Sequence, residues 1–348
     1  SGTACSDGGS GAGGGSGGQT AAAGAGGAAP GGRGGSSVGG SGAGGSGGSA
    51  PRADAAAGAD GSMGDAPVAG DAADAAPAIH GGVLVDFKED HTSFLAAFFD
   101  GPLPPTHVLD VSRTEGSCQL LVPRAAMCPG GCGLGGVCTG NNQCTPMPGQ
   151  VNAGILHIKG LGGADREAEP TAPTVLSYQL VPTLPFPSCT PGNAVEVRAN
   201  AFSLAGRCID ALTLTSPPPI PVVSGQPMRL AWTAPAPSLM ALARVHIELE
   251  ISHHGGFKGQ IECDVPDTGA FEIPAPLITA LVNLGRAGYP TVKVTRRSIA
   301  KAPTQPNVTL TVSSMVEREV DTGVISCGAT SSPPCPAGKT CQPDFTCQ

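Results

Sequence analysis

The clearest hydrophobic pattern in the chain is "ARVHIELEIS" (243–252), where Val245, Ile247, Leu249 and Ile251 alternate with His246, Glu248 and Glu250. A period of two marks a strand with one buried face. Short runs of the same kind start near His80: "GGVLVDFKED", "SFLAAFFDG", "THVLDVS" and "SCQLLVP". After a cysteine-rich interval they resume as "AGILHIKG", "TVLSYQL", "AVEVRA", "DALTLT" and "MRLAWT". "FKGQIEC", "TVKVTRR" and "NVTLTVSSMV" complete the set, with Val308, Leu310 and Val312 sharing a face of the last. "NAFSLAGR" reads as a loop after the "AVEVRA" strand.

One stretch has helical spacing instead. "PAPLITALVNLG" (274–285) sets Pro276 near its start, Leu277, Leu281 and Leu284 on one face, and Gly285 at its end. About ten short strands, one short helix and no βαβ alternation predict an all-β fold, an antiparallel β-sandwich of immunoglobulin or fibronectin style. A doubly wound nucleotide fold is excluded by the same pattern.

Composition changes the picture at one end only. Gly and Ala crowd into Ser6–Ile79, which holds almost nothing that could build a core. Such a segment cannot bury enough apolar surface to offset its ordering entropy, so 1–79 reads as a disordered Gly/Ala/Ser-rich tether. The remainder divides into a β-sandwich over 80–326, with a Cys-rich insertion at 118–148, and a C-terminal Cys knot at 327–348. The net charge is −8, and no basic stripe is present, so nucleic acid is not an expected partner. No apolar run approaches the ~20 residues that span a bilayer.

Thirteen cysteines among Gly, Pro and Asn indicate an oxidising compartment. Cys5 stands apart, after "SGTA" and before the tether. Thr3-Ala4-Cys5 suits the end of a lipobox, although Gly2 takes the place usual for Leu. The expectation is a lipidated Cys5, and an extracellular or cell-surface address, most simply that of an outer-membrane lipoprotein. The other twelve cysteines suffice for six disulfides. "CGLGGVCTGNNQC" (132–144) and "CPAGKTCQPDFTC" (335–347) repeat C-x5-C-x5-C. Compact alternating closure gives Cys128–Cys138 and Cys132–Cys144 in the first knot, Cys327–Cys341 and Cys335–Cys347 in the second. Cys189 and Cys208 bracket a strand and loop, a closure of roughly 3 kcal/mol in the chain-entropy model. Elimination leaves Cys118–Cys263, whose long loop raises the figure to roughly 5 kcal/mol.

"EGSCQLLVPRAAMCPGGCGLGGVCTGNNQCTPMPGQVNAGILHIKGL", with "IECDVPDTGAFEIP" later, resembles uncharacterised myxobacterial secreted lipoproteins that combine a Gly-rich tether, small Cys knots and a β-rich domain. The resemblance spans residues 80–348 and implies a cell-surface address. It transfers no catalytic residue.

Candidate chemistry is sparse. Asp267-Thr268-Gly269 and Asp321-Thr322-Gly323 repeat the triplet of aspartic proteases, which need two carboxylates sharing a proton about 3 Å apart. The two lie too close in sequence for a bilobal enzyme, Pro266 stands where a hydrophobic strand residue belongs, and Asp-x-Gly is ordinary turn chemistry. "GCGLGG" (131–136) matches G-x-G-x-x-G but neither follows a strand nor opens a helix. The G-x-S-x-G matches at 14–18, 35–39 and 44–48 are expected by chance in a Gly/Ser tract. His253-His254 reads as a polar hairpin tip before it reads as half a metal site. C-x5-C-x5-C lacks the C-x2-C spacing of zinc knuckles, so disulfides are expected there. Asn307-Val308-Thr309 is a formal sequon that reads as strand. Trp232 shares a face with Leu230, which makes it a core residue before a sugar-stacking platform. No catalytic, cofactor or metal residue is therefore assigned. The function expected is a non-catalytic binding or structural module for an extracellular ligand or envelope component, meeting the membrane only through a lipid anchor. The alternative is an extracellular hydrolase of peptide or glycan bonds.

Overall fold

A computed structural model describes residues 78–348 apart from 106–107, 126, 134, 140–141, 173–174, 253–255 and 329–333. Cys5, the tether up to residue 77 and the His253-His254 pair lie outside the described residues.

Alternation builds strands almost throughout. The first half contributes β1 (His80–Phe87), β2 (His91–Phe99), β3 (Leu109–Glu115), β4 (Cys118–Pro123) and β5 (Gly136–Cys138). It continues with β6 (Cys144–Pro146), β7 (Leu156–Lys159), β8 (Arg166–Ala168), β9 (Pro170–Ala172) and β10 (Val175–Gln179). The second half adds β11 (Leu184–Pro185), β12 (Ala194–Arg198), β13 (Ser203–Arg207), β14 (Ile220–Pro221) and β15 (Met228–Ala231). It ends with β16 (Arg244–Glu250), β17 (Gln260–Pro266), β18 (Ala270–Ile273), β19 (Thr291–Lys301) and β20 (Val308–Asp321). One helix, α1, covers Ala275–Asn283.

Twelve strands form one large sheet in the order β3-β4-β17-β16-β19-β20-β1-β2-β10-β9, with β11 on β2 and β14 on β20. β13-β12-β7-β8 make a second sheet, and β15-β18 and β5-β6 are two-stranded. The second sheet faces one half of the large one. Val85 and Phe98 of the large sheet meet Leu156, Ile158, Val195 and Val197 of the smaller in one buried cluster, which Val308, Leu310 and Val312 also enter. A separate cluster joins Val245, Ile247 and Leu249 of β16 to Ile261, Val265, Val292 and Val294. Leu230, Trp232 and the Leu277, Ile278 and Leu281 stripe of α1 cover it.

The hairpin β19–β20 serves both clusters. Val292, Val294, Val316 and Val320 belong to the second, while Ala300, Leu310 and Val312 belong to the first. Between them, on the same inward phase, stands Arg296, directly opposite Ser314. Each is buried.

The large sheet departs from the antiparallel expectation in two places. β1 runs parallel to β20, pairing Gly81–Phe87 with Val308–Ser314, and β14 is also parallel to β20. A short turn forces antiparallel neighbours, as it does for β19 and β20. β1 and β20 are separated by more than 200 residues, so no turn constrains their direction.

Local expectations shift at three sites. "DALTLT" is not a strand apart from a bridge between Leu214 and Trp232. The Asp210 and Ala211 carbonyls are taken by Arg296, and the Leu212 amide by Ser314 Oγ at 2.9 Å. Side chains thus replace a neighbouring strand as partners for residues 210–212, while Thr213 and Thr215 bond the backbone of Thr233 and Ala231. Ser203–Arg207 is a strand rather than a loop, pairing residue by residue with Ala194–Arg198. In α1 the buried face is Leu277, Ile278 and Leu281; Leu284 is the C-cap and 37% exposed, because it follows the last full turn. Pro274 and Pro276 open the helix, where missing N–H groups cost no intrahelical bond.

Candidate functional site

The first triplet makes the tight turn that leaves β17 for β18. Gly269 has φ +93°, a left-handed conformation that glycine adopts without strain, and its carbonyl accepts from the Trp232 amide at 2.8 Å. The turn buries Asp267 to 1% exposure. A carboxylate there must be paired and hydrogen-bonded to persist. Arg296 Nε donates to Oδ2 at 2.6 Å and Nη2 to Oδ1 at 3.1 Å. Trp232 Nε1 donates to Oδ1 at 2.7 Å.

Arg296 is equally satisfied. Nη1 reaches the carbonyls of Asp210 (3.2 Å) and Ala211 (3.0 Å), and Nη2 that of Thr233 (2.7 Å). With the two bonds to Asp267, all five guanidinium donors are used. Trp232 is 3% exposed and lies in the second cluster, so its ring presents no face to a sugar.

The second triplet differs entirely. Asp321 ends β20 in an exposed position, and its Oδ1 accepts the Gly323 amide at 2.7 Å. That is an Asx turn, closed between the Asp321 carboxylate and the backbone amide two residues on. The structure does not bring the two carboxylates together: one is an internal counter-ion, the other a turn former.

The described cysteines meet in six pairs. Cys118–Cys263, Cys128–Cys138, Cys132–Cys144, Cys189–Cys208, Cys327–Cys341 and Cys335–Cys347 are bonded. Cys118 and Cys263 sit directly opposite each other on β4 and β17, facing the second cluster. Sulfurs of Cys128, Cys132 and Cys138 converge, as do those of Cys327, Cys335 and Cys341, because each knot stacks two disulfides. Bonded in this way they are not thiolate ligands. The 131–136 run lies inside the first knot, and the element that follows is the three-residue strand β5. Asn307 is exposed in the turn before β20.

A polar constellation that alternation alone does not reveal lies on the outer face of β16, β17 and β19. Register sets Glu248 directly across from both Glu262 and Lys293, and His246 across from Asp264 and Thr295. Lys293 Nζ lies 3.1 Å from Glu248 Oε1. Burial works against the Lys293 charge, but that bond and the fields of Glu248, Glu317 and Glu250 outweigh it and hold its pKa above the ordinary lysine value. His246 Nδ1 lies 3.3 Å from Arg297 Nη2. Burial, then Arg297, holds the imidazole pKa below its usual value against the carboxylates of Glu262, Glu248 and Asp264. Elsewhere, a cleft of about 630 Å³ opens between Pro217, Pro219, Ile220 and Pro221 and the strands β15 and β18, with Phe271 in its wall. Among the described residues no helix is long and apolar enough to cross a membrane.

No family model matches the chain, and no curated protein matches it. Among solved structures it is similar to the FN1–FN3 domains of chicken CNTN1, at 9% identity over 69% of this chain and 70% of that one. The TM-score is 0.17, a weak likeness that carries no argument. Among the described residues the protein is mostly β, with one short helix, small accessory sheets and six disulfides. Its disulfides indicate an oxidising extracellular or periplasmic location.

Proposed function

We propose that this protein is a non-catalytic binding or structural module of the cell surface, carried on a Gly-rich tether and anchored through a lipidated Cys5. Asp267 carries the reading. It is the acid that a protease would need, and both of its oxygens are committed to Arg296 and Trp232. A carboxylate with no solvent exposure, held by three hydrogen bonds from a guanidinium and an indole N–H, is not placed to share a proton with a partner acid. The two layers facing each other across the first cluster support a β-sandwich of immunoglobulin or fibronectin style. The cleft beside β15 and β18 has the size of a small-ligand site.

The test is incubation of the purified, oxidised full chain with envelope fractions and with a peptide and glycan panel. Saturable retention without released products supports the module. Turnover of any peptide or glycan would favour the hydrolase instead. Labelling with a radioactive fatty acid, lost on Cys5→Ser, tests the anchor.

A further inference from the structure

The outer face of β16 and β17 holds two carboxylates in direct opposition, Glu248 and Glu262. Opposed Cβ atoms in antiparallel strands lie about 4.5–5.5 Å apart, and like charges there repel. Lys293 relieves this in part by binding Glu248 Oε1, and Gln260 Nε2 donates to Glu262 Oε1. Each carboxylate keeps a second oxygen. His246, two positions along β16, projects on the same face. One ligand atom from each of His246, Glu248 and Glu262 lies within 4.8 Å of the other two.

We propose that His246, Glu248 and Glu262 form a binding site for a divalent transition-metal ion of the zinc class, with water completing the coordination. The donor set argues for that class. One imidazole and two carboxylates suit zinc, whose open sites use three protein ligands, whereas calcium and magnesium prefer shells made of oxygen. Around tetrahedral zinc, with bonds of about 2.1 Å, neighbouring donors are about 3.4 Å apart, so side-chain rotation at three adjacent positions closes the site.

Arg297 gives the site a signature. A guanidinium can only donate, so His246 Nδ1 accepts and the ring proton stays on Nε2. A bound ion either takes Nδ1 or moves the proton onto it, and both displace Arg297. Asp264 Oδ2, 3.6 Å from Arg297 Nη2, is ready to receive it. Arg297 is thus a competitor of the metal, as well as a like charge beside it.

The experiment is titration calorimetry with zinc chloride on the full, oxidised chain carrying Cys5→Ser, in thiol-free buffer. One equivalent of zinc is expected to bind. Glu262→Gln and His246→Ala should each weaken binding at least about tenfold. Arg297→Gln should tighten it severalfold, a gain that misfolding cannot mimic. Replacing His253 and His254 by Ala should leave binding unchanged. No saturable uptake, uptake indifferent to Glu262→Gln, weaker uptake in Arg297→Gln, or uptake lost with the His253/His254 pair would each overturn the proposal.

Discussion

Arg296 and Asp267 form a two-point ion pair in the interior, with side chains 1% and 0% exposed and the shorter contact 2.6 Å long. The pair stands where the β19–β20 hairpin passes from one hydrophobic cluster to the other, and through Arg296 it ties down the backbone of residues 210–211 and 233. It closes a gap that two separate apolar cores would leave between them.

Trp232 completes the pair, and its indole N–H is expected to matter beyond its bulk. Trp232→Phe keeps an aromatic ring in the second cluster but removes the donor to Asp267. A loss of about 1–3 kcal/mol is expected in urea unfolding, since a bond to a buried charge is broken. A change below about 0.5 kcal/mol would mean that water or a rotated neighbour replaces the indole.

Tyr178 performs a similar task in the first cluster. Its hydroxyl accepts the Ala153 amide at 2.9 Å, and burial raises its pKa against that bond. Tyr178→Phe leaves the amide unsatisfied in the interior. A cost of about 1–3 kcal/mol is expected, read as a lower unfolding midpoint with an unchanged denaturant slope.

Gly160 follows β7 with φ +84°, and a Cβ there would lie 2.1 Å from the Ala194 carbonyl oxygen. Gly160→Ala must therefore move the β12 backbone or leave its own conformation. It should cost about 1–3 kcal/mol. Gly163→Ala, also at positive φ but with nothing within 4 Å, should cost less.

The disulfide framework is expected to survive direct chemistry. Non-reducing peptide mapping should recover Cys263 joined to Cys118 and Cys189 joined to Cys208. A peptide joining Cys263 to Cys189 or Cys208 would contradict both the pairing and the β4–β17 register.

Much of this architecture is legible in the chain itself. Alternation places Val245, Ile247 and Leu249 inward, and the C-x5-C-x5-C repeats suggest the same closures that the structure draws in each knot. What alternation cannot give is register between distant strands. Nothing in "TVKVTRR" or "IECDVPD" alone says that Arg296 meets Asp267, though a signal was present: Arg296 shares the inward phase of Val292 and Val294, where an unpaired charge could not stay. The opposition of Glu248 and Glu262 is likewise a property of pairing, invisible in either strand. The β1–β20 parallel contact escaped for the same reason, since its ends are joined by no turn that sequence could mark.

The reading of Asp267 as a structural counter-ion is tested most directly by equilibrium unfolding of Asp267→Asn beside Asp321→Asn. Asparagine in place of Asp267 leaves Arg296 charged and buried without its partner, and a loss of about 3–5 kcal/mol is expected. At exposed Asp321 the amide oxygen can still accept from Gly323, and a loss within about 0.5 kcal/mol is expected. If both variants unfold at the wild-type midpoint, Asp267 is not holding the interior together, and its carboxylate must be counted again among the groups free for chemistry.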